Sequence, residues 1–280
     1  MPPPQLTALA VLLRLAATAA SFEGVSYGGW DETQKWTAIA ASADGSKVVA
    51  AVKNGNLWIS NTTGAEWTER TAGGDVQNWN ALASSSDGST LVAAARDGDL
   101  YLSSNRGLTW SASSHFSDKD WRAVDVSADG SKIVGVADAD DVWLSDDSGA
   151  TFSSAFGSTK SWRGVASSAD GAKIVGTVNN GNLWRSTDSG ATWTEESVGS
   201  TQSWRGIASS SDGSRLVALV DEGDVWLSSN SGDTWSSTTV RAPRAGHRGG
   251  SAGRGDAAAG DVALPRRRRP DVAETEDFGE

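Results

Sequence analysis

Three kinds of residue in this 280-residue chain have the types and spacing to do chemistry. The first is a series of carboxylates. Asp44, Asp87, Asp129, Asp170 and Asp212 recur at near-constant intervals, and Asp147 and Asp188 repeat in a second context. Paired carboxylates carry out glycoside hydrolysis, one as acid and the other as base or nucleophile. The second kind is a set of pairs, Trp121-Arg122, Trp162-Arg163 and Trp204-Arg205, with Trp36 and Trp79 in the same register but followed by Thr37 and Asn80. A guanidinium grips a carboxylate or phosphate with two parallel hydrogen bonds, and an indole stacks on a cation or a sugar. The third is tyrosine, a nucleophile in some glycosidases, of which there are only Tyr27 and Tyr101.

Other chemistries are closed by composition. There is no Cys, so disulfides, thiol nucleophiles and Cys-bound metals are absent. Two histidines, His115 and His247, do not furnish a zinc site or a serine triad. Neither a metal nor a cofactor is expected. The net charge of −11 disfavours nucleic acid as a partner of the folded body, because binding phosphates needs clustered Lys and Arg. Residues 241–280 hold eight Arg against seven acidic residues, so the rest of the chain is more acidic than the whole.

The elements that must position these residues are legible as a repeat. Trp36, Trp79, Trp121, Trp162 and Trp204 open five units spaced 43, 42, 41 and 42 residues apart. A period of 40–45 residues suits one four-stranded blade of a β-propeller. In the fourth unit WRGVASS (162–168), AKIVGTV (172–178), NLWRSTD (182–188) and ATWTEES (191–197) read as strands separated by Asp-Gly, Asn-Gly and Ser-Gly turns. Those dipeptides tolerate positive φ and mark tight hairpins. In the third unit the second turn lacks its glycine, and Asp140 is expected to take the left-handed position. The five (A/S)-Asp-Gly carboxylates therefore read as hairpin residues rather than as a catalytic set.

Each unit carries aromatics at three equivalent places. After the first-strand tryptophans come Trp58, Tyr101, Trp143, Trp184 and Trp226 on the third strand. Trp67, Trp110, Phe152, Trp193 and Trp235 follow at the fourth. Rings of this size fill the space between neighbouring sheets. The first-strand tryptophans, at the rim of the channel, are also candidates for contact with a ligand.

The third and fourth strands are joined by SNTTGAEW (60–67), SSNRGLTW (103–110), SDDSGATF (145–152), STDSGATW (186–193) and SSNSGDTW (228–235). Gly64, Gly107, Gly149, Gly190 and Gly232 are constant, whereas the Asp position reads Thr62, Asn105, Asp147, Asp188 and Asn230. A catalytic or metal-binding carboxylate would not vary so freely. A short side chain accepting from backbone N–H groups would. This Ser-x-Asp-x-Gly-x-Thr-Trp turn resembles the Asp-box repeat of sialidases and related β-propellers, over residues 36–240. The resemblance implies an all-β fold of four-stranded antiparallel blades, either a closed five-bladed ring or part of a larger propeller. It does not imply an activity, since enzymes and non-enzymes share the repeat.

The family's enzymes place demands that this chain does not evidently meet. Sialidases use a Tyr nucleophile paired with a Glu, whereas Tyr101 stands in a packing register and Tyr27 precedes the first blade. Asp-box xyloglucanases use carboxylates across two propellers, and this chain has length for one. Sortilin-like receptors carry ten blades and a Cys-rich companion, both absent. The photosystem II assembly-factor family, a non-catalytic propeller of seven blades with an arginine patch, is nearer in size.

Outside the repeat, residues 1–21 resemble a signal-peptide leader, with an apolar run at 6–20 that is too short to span a membrane. Residues 22–35 are a possible closing strand. Residues 241–280, rich in Arg, Gly and Ala, read as a disordered tail carrying the run Arg266–Arg269. The expectation is a secreted or lumenal, non-catalytic propeller that binds a protein or glycan at one rim, with Trp36, Trp79 and the three Trp-Arg pairs as candidate contacts. The alternatives are a glycoside hydrolase and a lectin-like propeller. The sequence leaves the oligomeric state open.

Overall fold

The computed structural model describes residues 34–72, 76–116 and 118–238. The leader, the proposed closing strand up to residue 33 and the tail lie outside the described residues. The first sheet holds β1 (Trp36–Ala41), β2 (Val48–Gly55), β3 (Leu57–Ser60) and β4 (Thr68–Arg70), and the second β5 (Gln77–Ser84), β6 (Leu91–Ala95), β7 (Leu100–Ser103) and β8 (Ser111–Ala112). The third comprises β9 (Trp121–Val126), β10 (Ile133–Ala137), β11 (Val142–Ser145) and β12 (Ser153–Ser154). The fourth comprises β13 (Trp162–Ser167), β14 (Ile174–Val178), β15 (Leu183–Ser186) and β16 (Thr194–Glu196). The fifth has β17 (Trp204–Ser209), β18 (Leu216–Val220), β19 (Val225–Ser228) and β20 (Ser236–Thr238). Each is an antiparallel meander in chain order, and a short β2–β5 pairing at Lys53 and Gly55 links the first two.

The first strand of each sheet is innermost. β1, β5, β9, β13 and β17 lie side by side in that order. Together they line a cavity of about 320 Å³, with Ala41, Ser84, Val126, Val165 and Ser209 on its wall. β1 and β17 are not in contact, so of the two expected arrangements, a closed five-bladed ring or part of a larger propeller, the first is not made by these two strands.

Alternation along the strands explains the packing between sheets. One face of a blade carries Val134, Val136 and Val142, and the next blade lays Trp162, Val165 and Ile174 against it. The same arrangement joins Ala51 and Leu57 to Trp79, and Val175 and Leu183 to Trp204. Trp79, Trp121, Trp162 and Trp204 are at most 1 % exposed. Burying such a ring contributes more than any other residue type can at one position. The second strand makes room for it, since a Cβ on Gly135 would stand 2.8 Å from Cζ3 of Trp121.

Two backbone devices fix the blades to one another and to themselves. Between blades, the N–H of Ala43 donates to Ser86, Ser86 to Ala128, Ala128 to Ala169 and Ala169 to Ser211, at 2.6–2.9 Å. Within each blade, the residue before the constant glycine donates its N–H to the first hairpin, as Ser189 does to the carbonyl of Ala172 at 2.8 Å. The turn between the third and fourth strands is thereby clamped to the turn between the first and second.

Candidate ligand-binding rim

The Trp-Arg pairs stand where each innermost strand begins. Opposite them the ladder slips by one residue, between Trp162 and Gly164 and between Trp204 and Gly206, and likewise around Arg122. Each arginine is therefore the extra residue of a β-bulge. Bulges re-aim a side chain that regular pleating would bury against a neighbouring sheet.

The tryptophans of these pairs are not ligand platforms. Trp79, Trp121, Trp162 and Trp204 are at most 1 % exposed, with Trp162 lying between Gly176 of its own second strand and the preceding blade, which corrects the expectation that these rings contact a ligand. Three of the indole N–H groups are spent on the preceding blade, Trp79 donating to Gly55 O at 2.9 Å, Trp162 to Asp140 O at 3.1 Å and Trp204 to Gly181 O at 3.0 Å, whereas that of Trp121 is buried without a partner among the described residues. Trp36, in the first blade, is half-buried.

The arginines divide into paired and unpaired. Arg122 bonds Asp120 at 2.5 Å and Asp138 at 2.6 Å, with its side chain only 10 % exposed. Arg205 bonds Asp221 at 2.5 Å. The Arg163 side chain makes no hydrogen bond or ion pair among the described residues. Burial, followed by the neighbouring charge of Arg122, holds its pKa below the ordinary arginine value; Arg205 and Arg96 add to this and Asp138 opposes it. Arg163 thus feels the charges of Arg122, Arg205 and Arg96 as well as that of Asp138.

The reason lies in a register the sequence reading missed. The residue directly after the second strand reads Arg96, Asp138, Asn179 and Asp221 in the second to fifth blades. In the third and fifth blades it supplies a carboxylate to the bulge arginine. In the fourth it is the uncharged amide of Asn179, so Arg163 lacks a carboxylate from this position, and the carboxylate charge it feels is that of Asp138 in the preceding blade. Arg96 pairs with Asp120 of the following blade at 3.1 Å. The 41–42-residue spacing of these positions was the available signal.

The repeated carboxylates are structural. Asp44, Asp87 and Asp129 each accept from a serine hydroxyl two residues earlier and from the backbone N–H two residues later. These serine and backbone hydrogen bonds, the earlier serine first, hold all three carboxyls at about 2. Asp170 and Asp212 lie low for the same cause. In the second turn, Asp147 and Asp188 accept from Thr151 and Thr192, hydroxyl and N–H alike, and also lie at about 2. Asn105 and Asn230 keep the oxygen contact and donate Nδ2 to the threonine oxygen instead, while the Thr62 hydroxyl accepts from Glu66 N at 2.7 Å.

No family model and no curated protein matches this chain. Solved structures do. A structure described as YCF48 bound to D1 peptide superposes with a TM-score of 0.57 at 14 % identity, over 77 % of this chain and 74 % of that one. YCF48 from Cyanidioschyzon merolae gives 0.55 at 12 %, over 72 % and 70 %. The GH74 xyloglucanase from Xanthomonas campestris gives 0.54 at 19 %, over 72 % of this chain and 38 % of the enzyme. Together with the five meanders about a common cavity, these likenesses decide the architecture. The chain is a β-propeller. At such identities they establish the fold and leave the chemistry to the rim itself.

Proposed function

We propose that this propeller is a non-catalytic binding or scaffold module of the Asp-box kind, holding a carboxylate-bearing segment of a protein partner against Arg163. The observation that carries this reading is the unpaired guanidinium of Arg163 among Arg96, Arg122 and Arg205. An arginine whose guanidinium makes no ion pair and is partly shielded from water is able to form strong, two-pronged hydrogen bonds with an incoming carboxylate. A propeller of similar fold bound to a peptide, YCF48 with D1, supports the choice of a protein partner. The covered first-strand tryptophans favour a polypeptide over a stacked sugar.

Fluorescence anisotropy with a labelled acidic peptide tests it. Binding should weaken as salt rises, and Arg163→Gln should cost about 1.5–3 kcal/mol, or roughly ten-fold or more in affinity. Equal affinity of wild type and Arg163→Gln removes the reading.

A hydrolase reading has one observation in its favour beside the GH74 likeness. Asp99 is the carboxyl among the described residues pushed above its ordinary value, by burial and then by the charge of Asp118. Turnover of xyloglucan or chromogenic glycosides, abolished by Asp99→Asn, would establish that reading in place of ours.

A further inference from the structure

The turn between the third and fourth strands of the first blade carries a motif that the fold does not require. Asn61-Thr62-Thr63 has the Asn-x-Thr spacing of an N-glycosylation acceptor, and none of the nine other asparagines has Ser or Thr two residues on. The turn itself explains this confinement. In the second and fifth blades its asparagine, Asn105 or Asn230, stands one place later, so the residue two positions on is the constant glycine, Gly107 or Gly232. The place filled by Asn61 lies two before Thr63 instead, and the other blades hold Ser104, Asp146, Thr187 and Ser229 there.

The structure leaves both groups of the motif free. Asn61, Thr62 and Thr63 are exposed. The turn is held by the Ser60 hydroxyl, which accepts from Gly64 N at 2.8 Å, and by the Thr62 hydroxyl, which accepts from Glu66 N at 2.7 Å. The N–H of Thr63 donates to Ser46 O at 3.0 Å. Neither the Asn61 carboxamide nor the Thr63 hydroxyl makes a hydrogen bond among the described residues. Comparable groups in other blades are occupied. Asn105 and Asn230 donate to Thr109 and Thr234. Ser189 and Ser231, which stand in the register of Thr63, accept from Lys132 and Lys173 of the preceding blade at 3.0 and 3.1 Å. Among the described residues no blade precedes the first, so Thr63 receives no such lysine.

We propose that Asn61 is an N-glycosylation site, taking its oligosaccharide from a lipid-linked pyrophosphate donor in the secretory lumen to which a leader at residues 1–21 would deliver the chain. In the transfer, Nδ2 of Asn61 forms the bond to the anomeric carbon of the first sugar. The lipid pyrophosphate leaves with the bonding pair, and the amide gives up one proton to a base of the transferase. A bulky, hydrated glycan fits a turn whose three residues all face water. Each blade is an antiparallel meander, so this turn lies beside the first hairpin, at the far end of the blade from Thr37, which occupies the register of Arg163. The glycan therefore stands on the face opposite the bulge arginines, and the inference is independent of what Arg163 binds.

Cell-free translation of the full chain with endoplasmic-reticulum microsomes tests it. The protease-protected product should gain one discrete step in mass. Peptide N-glycosidase should remove that step and convert Asn61 to aspartate in the mapped peptide. Asn61→Gln and Thr63→Ala should each abolish the step, whereas Thr63→Ser should retain it, since serine keeps the hydroxyl. A wild-type product that stays unmodified, whether inside the microsomes or outside them, or a step that survives Asn61→Gln, would overturn the inference.

Discussion

At the scale of single residues, Asn179 and Arg163 show how one amide sets the character of a rim. Asn179→Asp places a carboxylate where Asp138 and Asp221 already neutralise their arginines. It should pair with Arg163 and lower affinity for an acidic peptide about as far as removing the guanidinium does, while thermal stability stays level; anisotropy and a melting curve read both. A second contrast concerns two glycines with the same φ of +86°. A Cβ at Gly190 would lie 2.2 Å from Cδ1 of Leu144 in the preceding blade, whereas at Gly232 the nearest atoms are 3.2 Å away on Leu216 and 3.4 Å away on the flexible Arg185. Alanine at either position incurs about 1–2 kcal/mol for its left-handed backbone. Gly190→Ala should lose about 1–3 kcal/mol more through overpacking, measured by urea denaturation. The sequence makes each glycine's conformation legible but not its contact. The neighbour belongs to another blade, and only the inter-blade register reveals it. The Trp-Arg pairs were visible in the same way, yet which half of each pair faces solvent depended on a bulge that no local pattern announces.

At the scale of the element, the turns are the most sequence-determined part of the molecule. Asp-Gly and the Ser-x-Asp turn appear where the residues indicate, because their hydrogen bonds close within six residues. The second hairpin is the exception. The left-handed residue is Asn54, Asp97, Asn180 or Glu222, one position before the glycine, and in the third blade it is Ala139 rather than Asp140. The glycine is instead selected by packing, since a Cβ on Gly181 would meet Cγ1 of Val178 at 2.8 Å. Asp140 is free to bond Lys119 and the indole of Trp143. The turn carboxylates also set a pH limit. Asp44, Asp87, Asp129, Asp147 and Asp188 titrate at about 2 in the folded chain, below their ordinary value of 3.8. Protons therefore bind the unfolded chain more readily, and the stabilisation is complete above the ordinary value and lost as pH falls through 2. Urea midpoints should be flat from neutral pH to about 5 and then decline steeply toward pH 2. Asp188→Asn should blunt that decline at little loss of stability, as Asn105 and Asn230 serve the same turn. Asp188→Ala should lower the urea midpoint at neutral pH, where Asp188→Asn does not.

At the scale of the whole molecule, stability is a sum over neighbouring blades, and the two ends of the series are unequal to its middle. The period and aromatic registers in the sequence foretell five such units. They do not foretell that β1 and β17 stand apart, because closure depends on the angle between blades and not on any residue within one. Trp162 illustrates the consequence. It is fully buried between the third and fourth blades, and Phe156, from the linker before it, meets its ring edge-on at 5.2 Å. Trp162→Ala should cost about 3–5 kcal/mol. The fifth blade has one face sealed and the other partly open, with Leu227 44 % exposed, and the inter-blade hydrogen-bond series ends on Ser211. With fewer apolar contacts holding it, its local opening should be the least costly of the described blades that end the series. Hydrogen exchange reads this directly. Amides of β10 and β14 should exchange slowest, with those of β18 and β19 faster by several powers of ten. Uniform protection across all five sheets would mean that the blades unfold as one cooperative unit, and that the unequal burial along the series does not govern its stability.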